Sequence, residues 1–309
     1  MPDRSHFTRR WLVVLTAIFC CLLWGSAYPA IKTGYALLSI PADDTASQVL
    51  FAGYRFFGSG LLLLALATVT GKSLWSFSPR QWGQLALLGL MQTTLQYVFF
   101  YIGLAYASGV KAAIVNSTGT FFSVLLAHFI YRNDRMSAAR SIGCILGFAG
   151  VVLVNLGRGP LNFDFTLMGE GFIAIAALVM AIALLYGKRL SQTIDPVVMT
   201  GQQLTLGGLV LIAIGSFSGG EVTGIGWHSG LLLGYLTALS ATVFALWSFL
   251  LKHNPVGQVI PLQFLIPVFG ALLSAYFLQE TILEWKNLMA LALVCWGIWL
   301  VTRPSGQQT

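Results

Sequence analysis

The sequence predicts an all-α integral membrane protein, ten transmembrane helices arranged as two inverted five-helix repeats. Three observations carry that reading. The 309 residues are 57% hydrophobic and only 9% charged, too few charges to coat a water-soluble surface. Apolar runs of about 18 to 25 residues, long enough to cross a hydrocarbon core of about 30 Å, recur along the whole chain. Segments of the first half also return in the second at a nearly constant spacing.

The first run, 11–34, follows Arg9 and Arg10 but is too long for a signal-peptide core, and further runs follow it, so it is read as a retained span. The second, 45–70, carries YRFFGSGLLLL and with it Arg55; the third, 81–104, carries the polar MQTTLQ. The fourth, 109–131, has NSTGTFFS at its middle, and the fifth is 138–156. The sixth, 167–187, opens on MGEGF; 196–217 and 228–251 follow; 256–278 is interrupted by Pro261 and Pro267; 285–302 is the last. Connections are short, so no soluble domain is expected. Cys20, Cys21, Cys144 and Cys295 all fall inside spans and read as small apolar fillers, not disulfides or a metal site.

Orientation follows from the 17 Lys and Arg residues. With the N-terminus inside, inner segments hold Arg4, Arg9, Arg10, Lys72, Arg80, Arg132, Arg135, Arg140, Lys188, Arg189, Lys252 and Arg303. Outer ends hold only Lys32, Lys111, Arg158 and Lys286. Both termini are therefore expected in the cytoplasm of a cell bounded by this inner (plasma) membrane. The net charge of +7 reflects that bias. Its basic residues are scattered singly over loops and form no phosphate-binding face, so nucleic acid is not an expected partner.

The repeat is carried by its offset. GYRFFGSGLLL (53–63) aligns with GQQLTLGGLVL (201–211) at 148; FFSVLLAHF aligns with FGALLSAYF, and GVVLV with GIWLV, at 147. Each half, 1–157 and 158–309, holds an odd number of spans, so the second must enter the membrane from the opposite side. Such inverted repeats build secondary transporters whose site lies near the midplane.

LLWGSAYPAIK, YRFFGSGLLLL, LAYASG and PVFGALLSAYFLQE resemble the drug/metabolite transporter superfamily, in its ten-span EamA-type branch. The resemblance covers essentially the whole chain. It implies a basket of helices that exports or exchanges amino acids, related metabolites or amphipathic drugs, with no cofactor. Two features depart from that pattern. Span four has Thr120 and Phe121 where relatives commonly have proline, and YRNDR follows it where an acidic residue is often found. Span nine keeps both features in Pro267 and Glu280.

Candidate substrate contacts are polar or aromatic residues at mid-span. The 147 offset pairs Asn116 with Gln263, placing an amide at equivalent depth in each half. A buried amide is costly in lipid unless it is paired or faces a watery cavity. Gln92 and Gln96 share a helix face. Trp24, Tyr28, Thr120 and Trp247 sit beside small or polar neighbours, and Gln203 occupies the position matching Arg55. For Ser117, Thr118 and Gly119 helix packing is the favoured role. Arg55 is read as a paired intramembrane charge or a residue snorkelling to the outer face, with structural pairing favoured and contact with a substrate carboxylate as a further alternative. Glu170 reads as a first-turn acid at a helix N-terminus and His128 as a hydrogen-bonded packing residue, each with a coupling role as the alternative. With no acid at mid-span, exchange or facilitated diffusion is as well supported as proton antiport.

Other classes fit less well. Asp43 and Asp44 are an adjacent carboxylate pair without the metal-spaced or nucleophilic partners an enzyme needs. A channel favours rings of repeated polar residues, which a two-fold inverted repeat does not readily build. Uptake instead of export is the alternative within transport. The expected partners are a small neutral or zwitterionic substrate and membrane lipid, with the protein a monomer or homodimer.

Overall fold

The computed structural model describes residues 9–41, 43–106, 109–131, 134, 136–155, 166–277 and 285–302, and every regular element among them is helical. α1 is Arg10–Leu37 and α2 Thr45–Val69. α3 covers residues 79–106 as an α-helical part Pro79–Gly89, a π-helical turn Leu90–Leu95 and a second α-helical part Gln96–Tyr106. α4 is Gly109–Ile130 and α5 Ala138–Asn155. α6 covers residues 167–190, with a π-helical turn Leu167–Gly171 ahead of Phe172–Leu190. α7 is Pro196–Phe217 and α8 Trp227–His253. α9 covers residues 256–277 in three pieces, and α10 is Trp285–Thr302.

These helices occupy the apolar runs of the sequence. Six of them (α1, α2, α3, α6, α7 and α8) are long and apolar enough to cross a bilayer, and the others contain shorter apolar helices. Leu61, Leu62 and Leu66 of α2, Phe129 of α4 and Trp296 and Trp299 of α10 point outward, the arrangement expected where the surrounding solvent is hydrocarbon.

Local chemistry sets the ends. Asp44 caps α2 by accepting from the Ser47 amide at 3.0 Å, and the Ser47 hydroxyl and amide hold its carboxyl below the usual carboxylate range. Half of the Asp43–Asp44 pair is thus a helix cap. Asp195 caps α7, accepting from Val197 and Val198, and pairs with Lys72 at 2.8 Å across the α2–α3 connection. Ser78 and Gln81 form a capping box ahead of Pro79.

The departure at span four has a structural counterpart. Without a proline, α4 runs as one uninterrupted α-helix through Thr120 and Phe121. α9 instead passes through a 3-10 segment, Ile260–Phe264, where Pro261 removes an amide donor. The Pro267 side chain and Glu280 lie outside the described residues.

Packing follows a pairwise rule. α2 packs most extensively on α7, and α5 on α10; α1 packs on α9 and α8 much as α6 packs on α4 and α3. Exchanging each helix for the one five places along leaves that pattern unchanged. The α2–α7 seam is built from the glycines that the 148 offset aligns. A Cβ on Gly53 would lie 2.7 Å from the Ile212 amide nitrogen, and one on Gly60 would lie 2.8 Å from the Gly201 carbonyl. Gly201 and Gly208 are equally hemmed in by α2. Small residues let these backbones approach closely, which in lipid is the main route to tight helix association. Gly60→Val should therefore cost about 1–3 kcal/mol, seen as a lower melting temperature in detergent. Gly83→Ala, where nothing lies within 4 Å, should not lower it.

Candidate functional site

A small cavity opens where α1, α3, α6, α7 and α8 converge, lined by Trp24, Gln92, Met180, Lys188, Trp247 and Ser248 among others. Its volume is about 20 Å³, room for roughly one water. In this conformation its own side chains nearly fill it. A roomier depression of about 480 Å³, between Leu209, Val210, Phe217 and Ser218, is open and apolar on the outer face of α7 alone, and reads as lipid-facing surface.

Aromatic rings form the walls. The Trp24 ring meets Trp247 edge-on at 5.2 Å and Phe244 at 5.7 Å, and Phe244 meets Phe56 at 6.1 Å. From there the series continues through Tyr97, 4.6 Å from Phe56, to Tyr101 and Tyr35, whose hydroxyls are 3.3 Å apart. An aromatic track thus runs from the cavity to the end of the bundle where α1 finishes.

Two buried polar atoms in this region have no hydrogen-bond partner among the described residues: Trp247 Nε1 and Gln96 Oε1. Sealing such a group without a partner costs about 1–3 kcal/mol, so a persistent orphan points to a partner that arrives with a ligand or another conformation. Both amides of MQTTLQ belong to the π-helical turn or its border, a register change that the sequence reading as a regular helix missed. Thr93 and Thr94 of the same turn face α7, donating to Gln203 Oε1 at 2.9 Å and to the Gly207 carbonyl at 3.1 Å.

The structure thus brings together Trp24, Gln92 and Trp247, with the buried Gln96 close by in sequence. It places Gln203 elsewhere: 2% exposed and bonded to Thr93, it belongs to the α3–α7 seam and does not line the cavity. Thr120 is buried in α4, and Asn116 and Gln263 are half-buried; none of the three lines the closed cavity. The Tyr28 side chain lies outside the described residues.

The charged candidates divide. Glu170 accepts at 2.9 Å from both the amide and the hydroxyl of Thr166, the N-terminal acid of α6. His128 Nδ1 accepts from the Met136 amide at 2.9 Å and so fastens the α4–α5 connection. Arg55 is tied to a neighbouring helix. Among the described residues it has no carboxylate partner; its Nε donates to Ser240 Oγ at 2.7 Å, and its guanidinium lies 5.0 Å from the Phe56 ring centre.

Lys188 is the charged residue of the cavity lining, and sequence reasoning missed it. Its ammonium donates to the carbonyls of Leu251 and Asn254 and lies 5.6 Å from the Tyr131 ring. Lys188 and Arg189 had read only as inner-side charges, and the orientation rule explains such a pair without a site. Among the described residues no group of His, Cys, Asp and Glu is arranged to hold a metal ion.

Comparison with known proteins agrees with this architecture. The model of the EamA-like transporter family matches residues 11–156 and 167–303. The chain is 29% identical over 303 residues to the uncharacterized transporter YvbV of Bacillus subtilis, covering 95% of this chain and 92% of that one. It is 26% identical over 303 residues to the uncharacterized inner membrane transporter YedA of Escherichia coli, with the same coverage, 95% and 92%. It is also 26% identical over 305 residues to the WAT1-related protein At3g02690, chloroplastic, of Arabidopsis thaliana, covering 96% of this chain and 70% of that one. A crystal structure at 20% identity superposes with a TM-score of 0.79 over 94% of this chain and 98% of that one, which shows a shared fold. The chain is a multi-pass membrane protein and belongs to the EamA-like transporter family.

Proposed function

We propose that the protein is a secondary transporter, an exporter or exchanger of a small polar or amphipathic metabolite such as an amino acid, working by alternating access in the inner (plasma) membrane. In this reading α1–α10 are ten spans, residues 1–157 and 158–309 are inverted repeats, and both termini are cytoplasmic. The observation that carries it is the cavity. It lies where helices of both halves meet, two tryptophans line it, and an indole N–H there has no partner among the described residues. The exchange symmetry of the helix contacts and the matched glycines of the α2–α7 seam support the repeat. On this reading Trp24, Gln92, Gln96 and Trp247 contact substrate. Asn116, Thr120 and Gln263 join the site when α4 and the broken α9 move, which makes Asn116→Leu and Gln263→Leu raise the half-saturation constant with little loss of stability.

The test is counterflow in proteoliposomes with a panel of amino acids and organic cations, with and without an imposed pH gradient. Saturable exchange of at least one compound is the expected result. A linear, non-saturating flux without counterflow would mean a channel. Because Glu170 serves as a helix-end acid, exchange should persist in an uncoupler and in Glu170→Gln. Collapse of exchange in both conditions would make Glu170 a coupling group.

A further inference from the structure

We infer that Arg55 is a docking point for a carboxylate group on the transported molecule, which makes the carrier selective for small organic anions and zwitterions over organic cations. The inference rests on the transporter reading above and adds its selectivity.

Depth comes first. Arg55 is only 5% exposed, and at 1.5 Å per residue it lies about 15 Å along α2 from Thr45, too deep for its head to snorkel to the membrane surface. A permanent cation at that depth is expensive unless something compensates it. Compensation inside the protein is partial. Among the described residues one of the five N–H donors of the guanidinium is used, Nε to Ser240 Oγ, and no acid forms an ion pair with it. The Phe56 ring 5.0 Å away adds a cation–π contact but neutralises nothing.

Geometry comes second. With Nε held by Ser240, the Nη1–Nη2 edge has no partner among the described residues, and it matches the two oxygens of a carboxylate. The Tyr35–Tyr101 hydroxyl pair lies on the same aromatic track, reached from Phe56 through Tyr97. Whichever phenol donates in that pair, the other keeps a proton that it can give to an arriving anion. The aromatic track then leads from Phe56 through Phe244 to Trp24 and the cavity, so an apolar or aromatic remainder has a place to lie.

The repeat supplies the third argument. The residue matching Arg55 in the second half is Gln203, which makes the corresponding tie from α7 to α3 with a neutral amide whose Oε1 accepts from Thr93. The helix seam therefore needs only a hydrogen bond at this position. The charge is an addition in one half alone, and a scaffold role does not account for it.

The experiment reads ligand-induced shifts in the melting temperature of the purified protein, using phenylpropionate, phenylalanine and phenethylamine as probes. Phenylpropionate and phenylalanine should stabilise the wild type, and phenethylamine, which lacks the carboxylate, should not. Arg55→Gln, which copies the amide of the other half, should weaken both carboxylates by about 10- to 100-fold. Arg55→Lys should recover part of that, keeping charge but losing the planar fork. Equal stabilisation by phenethylamine, no response to either carboxylate, or unchanged carboxylate binding in Arg55→Gln would each overturn the inference. Counterflow in parallel separates the two readings: carboxylate binding without exchange of any compound sinks the transporter proposal and leaves Arg55 as an anion site.

Discussion

Asp134→Ala should destabilise the protein by about 3–5 kcal/mol, the largest loss expected from any single polar substitution here. Asp134 is 2% exposed, takes Arg140 Nη1 at 2.7 Å, and accepts from the Gly257 amide through both carboxylate oxygens, at 3.2 and 3.0 Å. One buried carboxylate thus joins the α4–α5 connection, the start of α5 and the first turn of α9. Removing it leaves the Arg140 cation without this counter-ion and the α9 terminus without its acceptor. Thermal unfolding in detergent checks the figure. A double change, Asp134→Leu with Arg140→Met, should recover a good part of the loss, because it removes both charges together. If the double variant were as unstable as the single ones combined, the site would depend on its hydrogen bonds to Gly257 and not on charge balance.

Trp247→Ala should cost about 3–5 kcal/mol, since the ring is 2% exposed and wedged against Trp24. Trp247→Phe separates packing from recognition. It keeps an aromatic ring and deletes a buried N–H that has no partner among the described residues, so the melting temperature should hold or rise. If that N–H serves the substrate, the half-saturation constant should rise several-fold, the loss of a hydrogen bond worth about 1 kcal/mol. Normal affinity in Trp247→Phe would show that the indole nitrogen is not a ligand donor, and that the cavity is recognised through shape alone.

Much of the architecture was readable from residue order. The apolar runs located the helices because hydrocarbon solvent demands a continuous stretch of apolar residues, a pattern that needs no tertiary information. The glycines aligned by the 148 offset turned out to be those at which α2 and α7 touch. Trp24 and Trp247 stood out as aromatic residues with small or polar neighbours, and they meet at 5.2 Å.

Less of the site was readable, for physical reasons. A buried amide looks the same in sequence whether it faces a cavity or a neighbouring helix: Gln92 does the first and Gln203 the second, and only the position of Thr93 separates them. Asp134 was passed over because YRNDR places it in a charged connection, where most acids are solvated; its burial depends on Gly257, far along the chain. Lys188 was absorbed by the orientation rule. Residue order by itself determined the membrane class, the helix positions and the family resemblance, because these depend on local hydrophobicity and spacing. Tertiary structure alone decided which polar groups are satisfied and which are left over, because hydrogen-bond balance in lipid is settled by partners that arrive from other helices.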